Sequence, residues 1–259
     1  MNENLIKYKD QITKVFSLVV EVLTVSRSLK SISLDLKLMA INGIVQAAKV
    51  GTNQGHSLIT LSGFLATLPQ QIAPELEDLE TLSRRLSREI TICSIAVRRF
   101  ILYSIALRKT VDSALSDGNK YRGDNIDLLS VKVLDRIEKN EHLINIEPVM
   151  KTNLVGLAQK NLELIKTLNR LLEESHITIR QSRDKIERIR RNGFIANYMG
   201  SNISIESTYL RKNQESFHSL VSNIKETVQI LNEKLDMIID KINDSELLLE
   251  KLIKSRIIN

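Results

Sequence analysis

Apolar or small side chains recur at alternating steps of three and four residues along four stretches of this chain. That period restricts it to long helices joined along seams. The first stretch reads Ile12, Val15, Val19, Val22, Ser26, Leu29, Ser33, Leu36, Ala40, Gly43 and Ala47; the second reads Leu79, Leu82, Leu86, Ile90, Cys93, Val97, Phe100, Ser104, Leu107, Val111 and Ala114. A third runs from Leu154 through Asn161, Ile165, Leu168, Leu172, Ser175 and Ile179 to Ile203, and a fourth from Phe217 to Leu252. Nine glycines and three prolines are too few to punctuate 259 residues into short elements. Tryptophan is absent and aromatics are 4%, so the core must be aliphatic. The expected class is all-α, an elongated antiparallel four-helix coiled-coil bundle made of two hairpins.

The breaks in the pattern give the organisation. Gly51-Thr-Asn-Gln-Gly55 has the residues of a chain reversal, since Gly and Asn tolerate positive φ, with helix resuming by about Ser57. Pro69 and Pro74 predict a kink or short break between Leu68 and Glu75. The run Ser116 to Asn125 is polar and turn-rich, and a short helix over about Ile126 to Asn140 follows it. Pro148 suits a helix start. The division is therefore 1–116, a first hairpin with its tip near 51–55; 117–147, a linker with a short helix; and 148–259, a second hairpin with its tip near 211–215. Arg211 to Ser216 has no glycine, so a continuous helix from Asn197 to the C-terminus is the rival geometry.

Several chemistries lack their residues. Cys93 has no partner for a disulfide or a thiolate metal site, which points to a reducing compartment, and it falls on the seam as a small hydrophobe. His56, His142, His176 and His218 are scattered without paired helical spacing, so no metal and no cofactor is expected. Phosphate loop, nucleophile elbow and acid pair are all missing, and the chain reads as no enzyme. The first residues are polar rather than secretory. The apolar run Ile90 to Leu107 contains Arg98 and Arg99 and reads as a core helix rather than a transmembrane segment. Net charge is +6, and the densest basic stretch, Arg180 to Arg191, is interleaved with Asp184 and Glu187 as a solvated helix face would be. A basic module for nucleic acid or anionic lipid is the alternative.

The stretch Lys37 to Leu65 contains Leu38, Met39, Ala40, Ile41, Asn42, Val45, Ala47, Ala48 and Gly51, then Gly55, Leu58, Leu61 and Leu65 after the turn. It resembles the cytoplasmic hairpin tip of bacterial methyl-accepting chemotaxis proteins, with one extra residue in the turn. A fainter copy starts at Asn197 and continues through Asn202, Glu206, Phe217, Leu220, Val221 and Ile224. The two copies also resemble each other at Met39 and Met199 and at Asn42 and Asn202, as a duplication would.

Family receptors are homodimers of such hairpins, so the resemblance implies a dimer fused into one chain. It further implies a non-catalytic, cytoplasmic signalling or scaffold protein. Leu38, Ile41 and Leu58 would be exposed apolar contacts for a coupling protein or histidine kinase of a chemosensory system. Asn42, Gln46, Lys49, Asn202 and Glu206 correspond to positions that join chemoreceptors to one another. The copies depart from the family at Gln46, Phe64 and Asn223, where acids are expected, and at Tyr198, Ser201 and Tyr209. Those departures suit a decoy that joins or caps receptor assemblies as well as an active signaller. Glu173-Glu174 is the nearest methylation-like pair, but Arg170 and Leu171 precede it and it lies too close to the repeat. Without the repeated tip, the chain would read as a purely structural coiled coil.

Overall fold

The computed structural model describes residues 3–50, 53–114, 126–139, 148–210 and 214–254. They form α1 (Glu3–Val50), α2 (Asn53–Ala114), α3 (Ile126–Glu138), α4 (Pro148–Thr208) and α5 (Gln214–Lys254), with no strand among the described residues. The class is all-α, with helices packed on one another. Contacts divide the chain into two compact units, each drawing on all four long helices. Unit 1 comprises Met1–Ser17, Ser87–Ile177 and Glu246–Asn259; unit 2 comprises Leu18–Leu86 and Thr178–Ser245.

The seams read from sequence are the buried stripes. Every named position on α1, α4 and α5 is buried. On α2 the named positions from Leu79 to Val111 are buried except Leu82, which is half-buried because Ser83 takes the inward position and donates its Oγ to the Leu79 carbonyl at 2.7 Å; the Ala114 side chain lies outside those described. A serine on a seam stays tolerable when its hydroxyl finds a carbonyl one turn back.

Within unit 2 the helices run antiparallel to their neighbours. Lys30 and Arg27 of α1 ion-pair with Glu80 of α2, and Lys185 reaches Glu75 and Asp78 from α4 to α2. Arg190 meets Asp236 between α4 and α5, while Lys241 of α5 meets Glu21 of α1 at 2.8 Å. Near the turn, α1 packs closely on its neighbours at Gly43. A Cβ there would lie 2.6 Å from Ser62 Oγ on α2 and 3.1 Å from Leu220 Cδ2 on α5. The end of α1 and the start of α5 therefore lie side by side in unit 2. At Gly200 and Gly193 of α4 a Cβ would come 3.2 Å from Ile224 and Leu231, so small seam residues permit close helix approach there too.

The burial of unit 2 repeats along the chain. Ser33, Leu36, Ala40, Gly43 and Ala47 are buried, as are Gly193, Ala196, Gly200, Ile203 and Ser207, each 160 residues on. On the returning arms Leu58, Leu65, Ile72, Leu76 and Leu79 correspond to Phe217, Ile224, Leu231, Leu235 and Ile238, 159 residues on. The one-residue difference falls between Ala47 and Leu58.

In unit 1, Leu107, Val111, Val133, Leu154 and Ala158 form a cluster, with Leu134 and Leu157 packed against it, so α3 closes over parts of α2 and α4. Beneath it is a polar layer, where buried Asn161 donates Nδ2 to Ser104 Oγ at 3.3 Å and to Ser130 Oγ at 3.5 Å. Ser175 donates to the buried Glu89 carboxylate at 3.3 Å.

Two expectations change, and one rival geometry falls away. First, α2 runs unbroken through Pro69 and Pro74. Each proline forfeits about 3 kcal/mol in a helix interior. The flanking Leu65, Leu68, Ile72, Leu76 and Leu79 are all buried, and each contributes roughly 1.5–3 kcal/mol, which outweighs the loss. Second, α2 begins at Asn53 rather than near Ser57, leaving Gly51-Thr52 of the expected reversal outside the described residues. The rival geometry, a continuous helix from Asn197 to the C-terminus, is overturned: α4 and α5 are separate helices. The last turn of α4 tightens through Tyr209 N–H to Glu206 O at 3.3 Å and Leu210 N–H to Ser207 O at 3.1 Å, with Leu210 buried as its anchor. The expected polar boundary, Ser116 to Asn125, lies outside the described residues, as do positions 211–213 of the second tip.

Candidate functional site

On α1 the seam Leu29, Ile32, Leu36, Ala40, Gly43 and Ala47 faces inward, which turns the intervening positions out. Leu34, Leu38, Ile41 and Val45 form an exposed apolar row at steps of four, three and four, with Leu38 at 52% and Ile41 at 44% exposure. Such a row on a folded helix has the spacing of a helix-binding surface. Asn42 and Lys49 are exposed on the same helix. Gln46 is half-buried, and its Oε1 is buried with no hydrogen-bond partner.

Leu58 corrects the expectation that it would join this exposed row. It is fully buried, because stepping back from Leu79 through Leu76, Ile72, Leu68, Leu65 and Ser62 brings the α2 seam to Leu58. The exposed apolar residue on that returning arm is Phe64, at 57%. On α4, Asn202 and Glu206 are half-buried and one turn apart, bordered by exposed Tyr198, Ile205 and Tyr209. The proposed contact residues thus fall into an α1 group and an α4 group.

Electrostatics fix the helices around these faces. Glu80 is mostly buried and holds Lys30, Arg84 and Arg27; the Lys30 ammonium, then the Arg84 guanidinium, keep its carboxyl down at about 2. Hydrogen bonds to Asp78 and then Glu75 raise the Lys185 pKa, and Glu21 does the same for Lys241. The basic stretch Arg180 to Arg191 is largely engaged across helices: Arg183 donates to Asn243 at 2.7 Å, Arg188 meets Glu75 at 3.3 Å, and Arg190 pairs with Asp236. These partners come from α2 and α5.

Reactive groups offer little chemistry among the described residues. Burial, then the Glu89 charge, pushes the Cys93 thiol up to about 12, so it stays protonated and inert. In unit 1, His176 Nε2 lies 3.4 Å from Glu246 Oε1 and 4.0 Å from Glu250 Oε1, and ligand atoms of the three lie within 4.8 Å of one another. This is the group among the described residues that could hold a divalent cation. It escaped sequence reading because its histidine and its carboxylates sit on different helices. An open depression in unit 1, lined by Thr110, Asn153, Gly156 and Lys160, brings no acid or nucleophile pair together.

Sequence reading also missed the outward side of residues 90–107 in α2. This stretch has mean hydropathy 1.7, yet only 39% of it is buried, although by length and composition it could cross a membrane. Ile90, Cys93, Val97, Phe100, Ser104 and Leu107 are the inward stripe, whereas Ile92, Ile95, Leu102 and Ile105 are exposed. Apolar residues off the seam were the available signal. Comparison of the chain with protein-family models, curated proteins and solved structures finds no match.

Proposed function

We propose that this chain is a non-catalytic, chemoreceptor-like scaffold that acts through protein contacts near its hairpin turns. In this reading, two hairpins, α1–α2 and α4–α5, make a four-helix bundle that stands in for a receptor dimer. The observation that carries it is the apolar row Leu34, Leu38, Ile41 and Val45, held outward on the helix whose inner face packs against α2 and α5 at Gly43. Exposed leucine, isoleucine and valine at helical spacing are hard to account for on a helix that has already buried another face.

The repeated burial pattern, offset by 160 and 159 residues on the two arms, supports the fused-dimer reading. The side-by-side placement of Gly43 and Leu220 supports two turns at one end. The engagement of Arg183, Lys185, Arg188 and Arg190 with neighbouring helices weighs against that stretch as a polyanion site. The partner class is a chemosensory coupling protein or its histidine kinase, or another chemoreceptor, in the cytoplasm. Phe64, Asn223 and Gln46 stand where the family carries acids, and they fit a member that joins or caps an assembly.

A pull-down with a chemosensory coupling protein tests it, comparing wild type with Ile41→Asp. Ile41 is exposed, so the variant folds, and it should lose retention by tenfold or more. Equal retention of the two, or none of either, removes the α1 row from the account.

A further inference from the structure

We infer that the outward side of α2 in unit 1 is a docking face for an anionic lipid surface, on which α2 lies in the interfacial plane. Its exposed residues from Arg88 to Lys109 form one helical arc in which isoleucine and leucine alternate with cations: Ile92, Ile95, Leu102 and Ile105 beside Arg88, Arg98 and Arg99. The one acid in that stretch, Glu89, is buried and accepts from Ser175 on the inner side. The face therefore presents apolar side chains and positive charge with no exposed acid among them. Leu102 is 64% exposed, the most of the four.

This composition selects among occupants. A lipid headgroup layer takes apolar side chains into its acyl boundary while its phosphates meet the flanking guanidiniums. Arginine reaches up from such a depth along its own aliphatic stem. A second copy of the chain stacked on this face would set Arg98 and Arg99 against like charge. Nucleic acid would meet the four aliphatic residues with phosphate, and the face exposes no aromatic ring at Ile92, Ile95, Leu102 or Ile105 for bases to stack on. The same residues explain why a stretch long enough to span a membrane does not need to: Phe100, Val97 and Cys93 are committed to the core of unit 1.

The test is flotation of the full chain with vesicles of phosphatidylglycerol and phosphatidylcholine, against phosphatidylcholine alone. The wild type should float with the anionic vesicles and be released by salt. Each basic residue near such a surface is worth roughly a five-fold factor, so Arg98→Glu with Arg99→Glu should weaken binding by about 25-fold or more. Leu102→Asn should weaken it with the charge intact. Because the chain has no tryptophan, Leu102→Trp provides a sole reporter whose emission should shift to the blue on vesicle addition. Lys251→Trp, exposed on α5, should not shift. No flotation with anionic vesicles, equal flotation of wild type and both variants, an unshifted Trp at position 102, or tighter binding to duplex DNA than to vesicles would each overturn the inference. Helix content measured on every variant separates lost binding from lost fold.

Discussion

A Cβ placed on Gly43 would come 3.1 Å from Leu220 Cδ2, so the Leu220 side chain of α5 packs directly against the α1 backbone there. This contact ties the end of α1 to the start of α5. A larger residue must displace the Leu220 and Ser62 side chains from the seam. Gly43→Val should therefore lower stability by about 1–3 kcal/mol or more. Gly63, in the same unit, has open space around its would-be Cβ, and Gly63→Ala should raise stability by about 0.5–1 kcal/mol through helix propensity. Urea denaturation followed by circular dichroism reads both, and the opposite signs distinguish a packing constraint from a general dislike of substitution.

Glu80 gives unit 2 a pH dependence. Its carboxyl is held at about 2 against an ordinary 4.5, first by Lys30 and then by Arg84. The folded state binds the ionised form, so the stabilisation is fully present above 4.5 and fades as pH falls toward 2. Melting temperature measured across that window should drop more steeply in wild type than in Glu80→Gln. Parallel curves would show that the three cations do not act through this carboxylate.

Pro74 is exposed inside an unbroken helix and cannot donate a backbone hydrogen bond. Pro74→Ala should stabilise the chain by about 1–3 kcal/mol. If α2 instead needs a break there, the substitution should be neutral or harmful in the same denaturation experiment.

Cys93 should resist thiol reagents in the folded chain and react only on unfolding, because its thiol is fully buried and pushed up to about 12. Rapid labelling at neutral pH under native conditions would contradict its placement on the seam.

Most of the fold was readable because burial here follows one rule. A helix that packs along its length must return a small or apolar residue every three or four positions, and Ile12 to Ala47, Leu154 to Ile203 and Phe217 to Leu252 do so, with Asn161 as a polar exception on α4. Reading failed where a neighbouring helix decides. Pro69 looks like a break until Leu65 and Ile72 on either side are seen to be buried. Leu58 looks like surface by the resemblance alone, whereas the α2 seam traced back from Leu79 turns it inward. The partners of Lys185 and Arg190 lie on α2 and α5, far away in sequence, and no local charge pattern announces them. For the candidate site, exposure of Leu38 and Ile41 was legible, since the α1 seam assigns both to the outside, whereas the outward row on α2 was hidden within an apolar run that looked wholly internal.

The claim on which the rest depends is that both hairpin turns lie at one end of unit 2. His56 and His218 are exposed and sit just beyond the two turns. Spin labels at His56→Cys and His218→Cys, in a Cys93→Ser background, can be measured by pulsed electron resonance in the purified chain. Neighbouring helix axes lie about 8–10 Å apart, so a single distance under about 30 Å is expected once label arms are added. A separation near the length of a 41-residue helix, about 60 Å, would place the turns at opposite ends and contradict the fused receptor-like dimer.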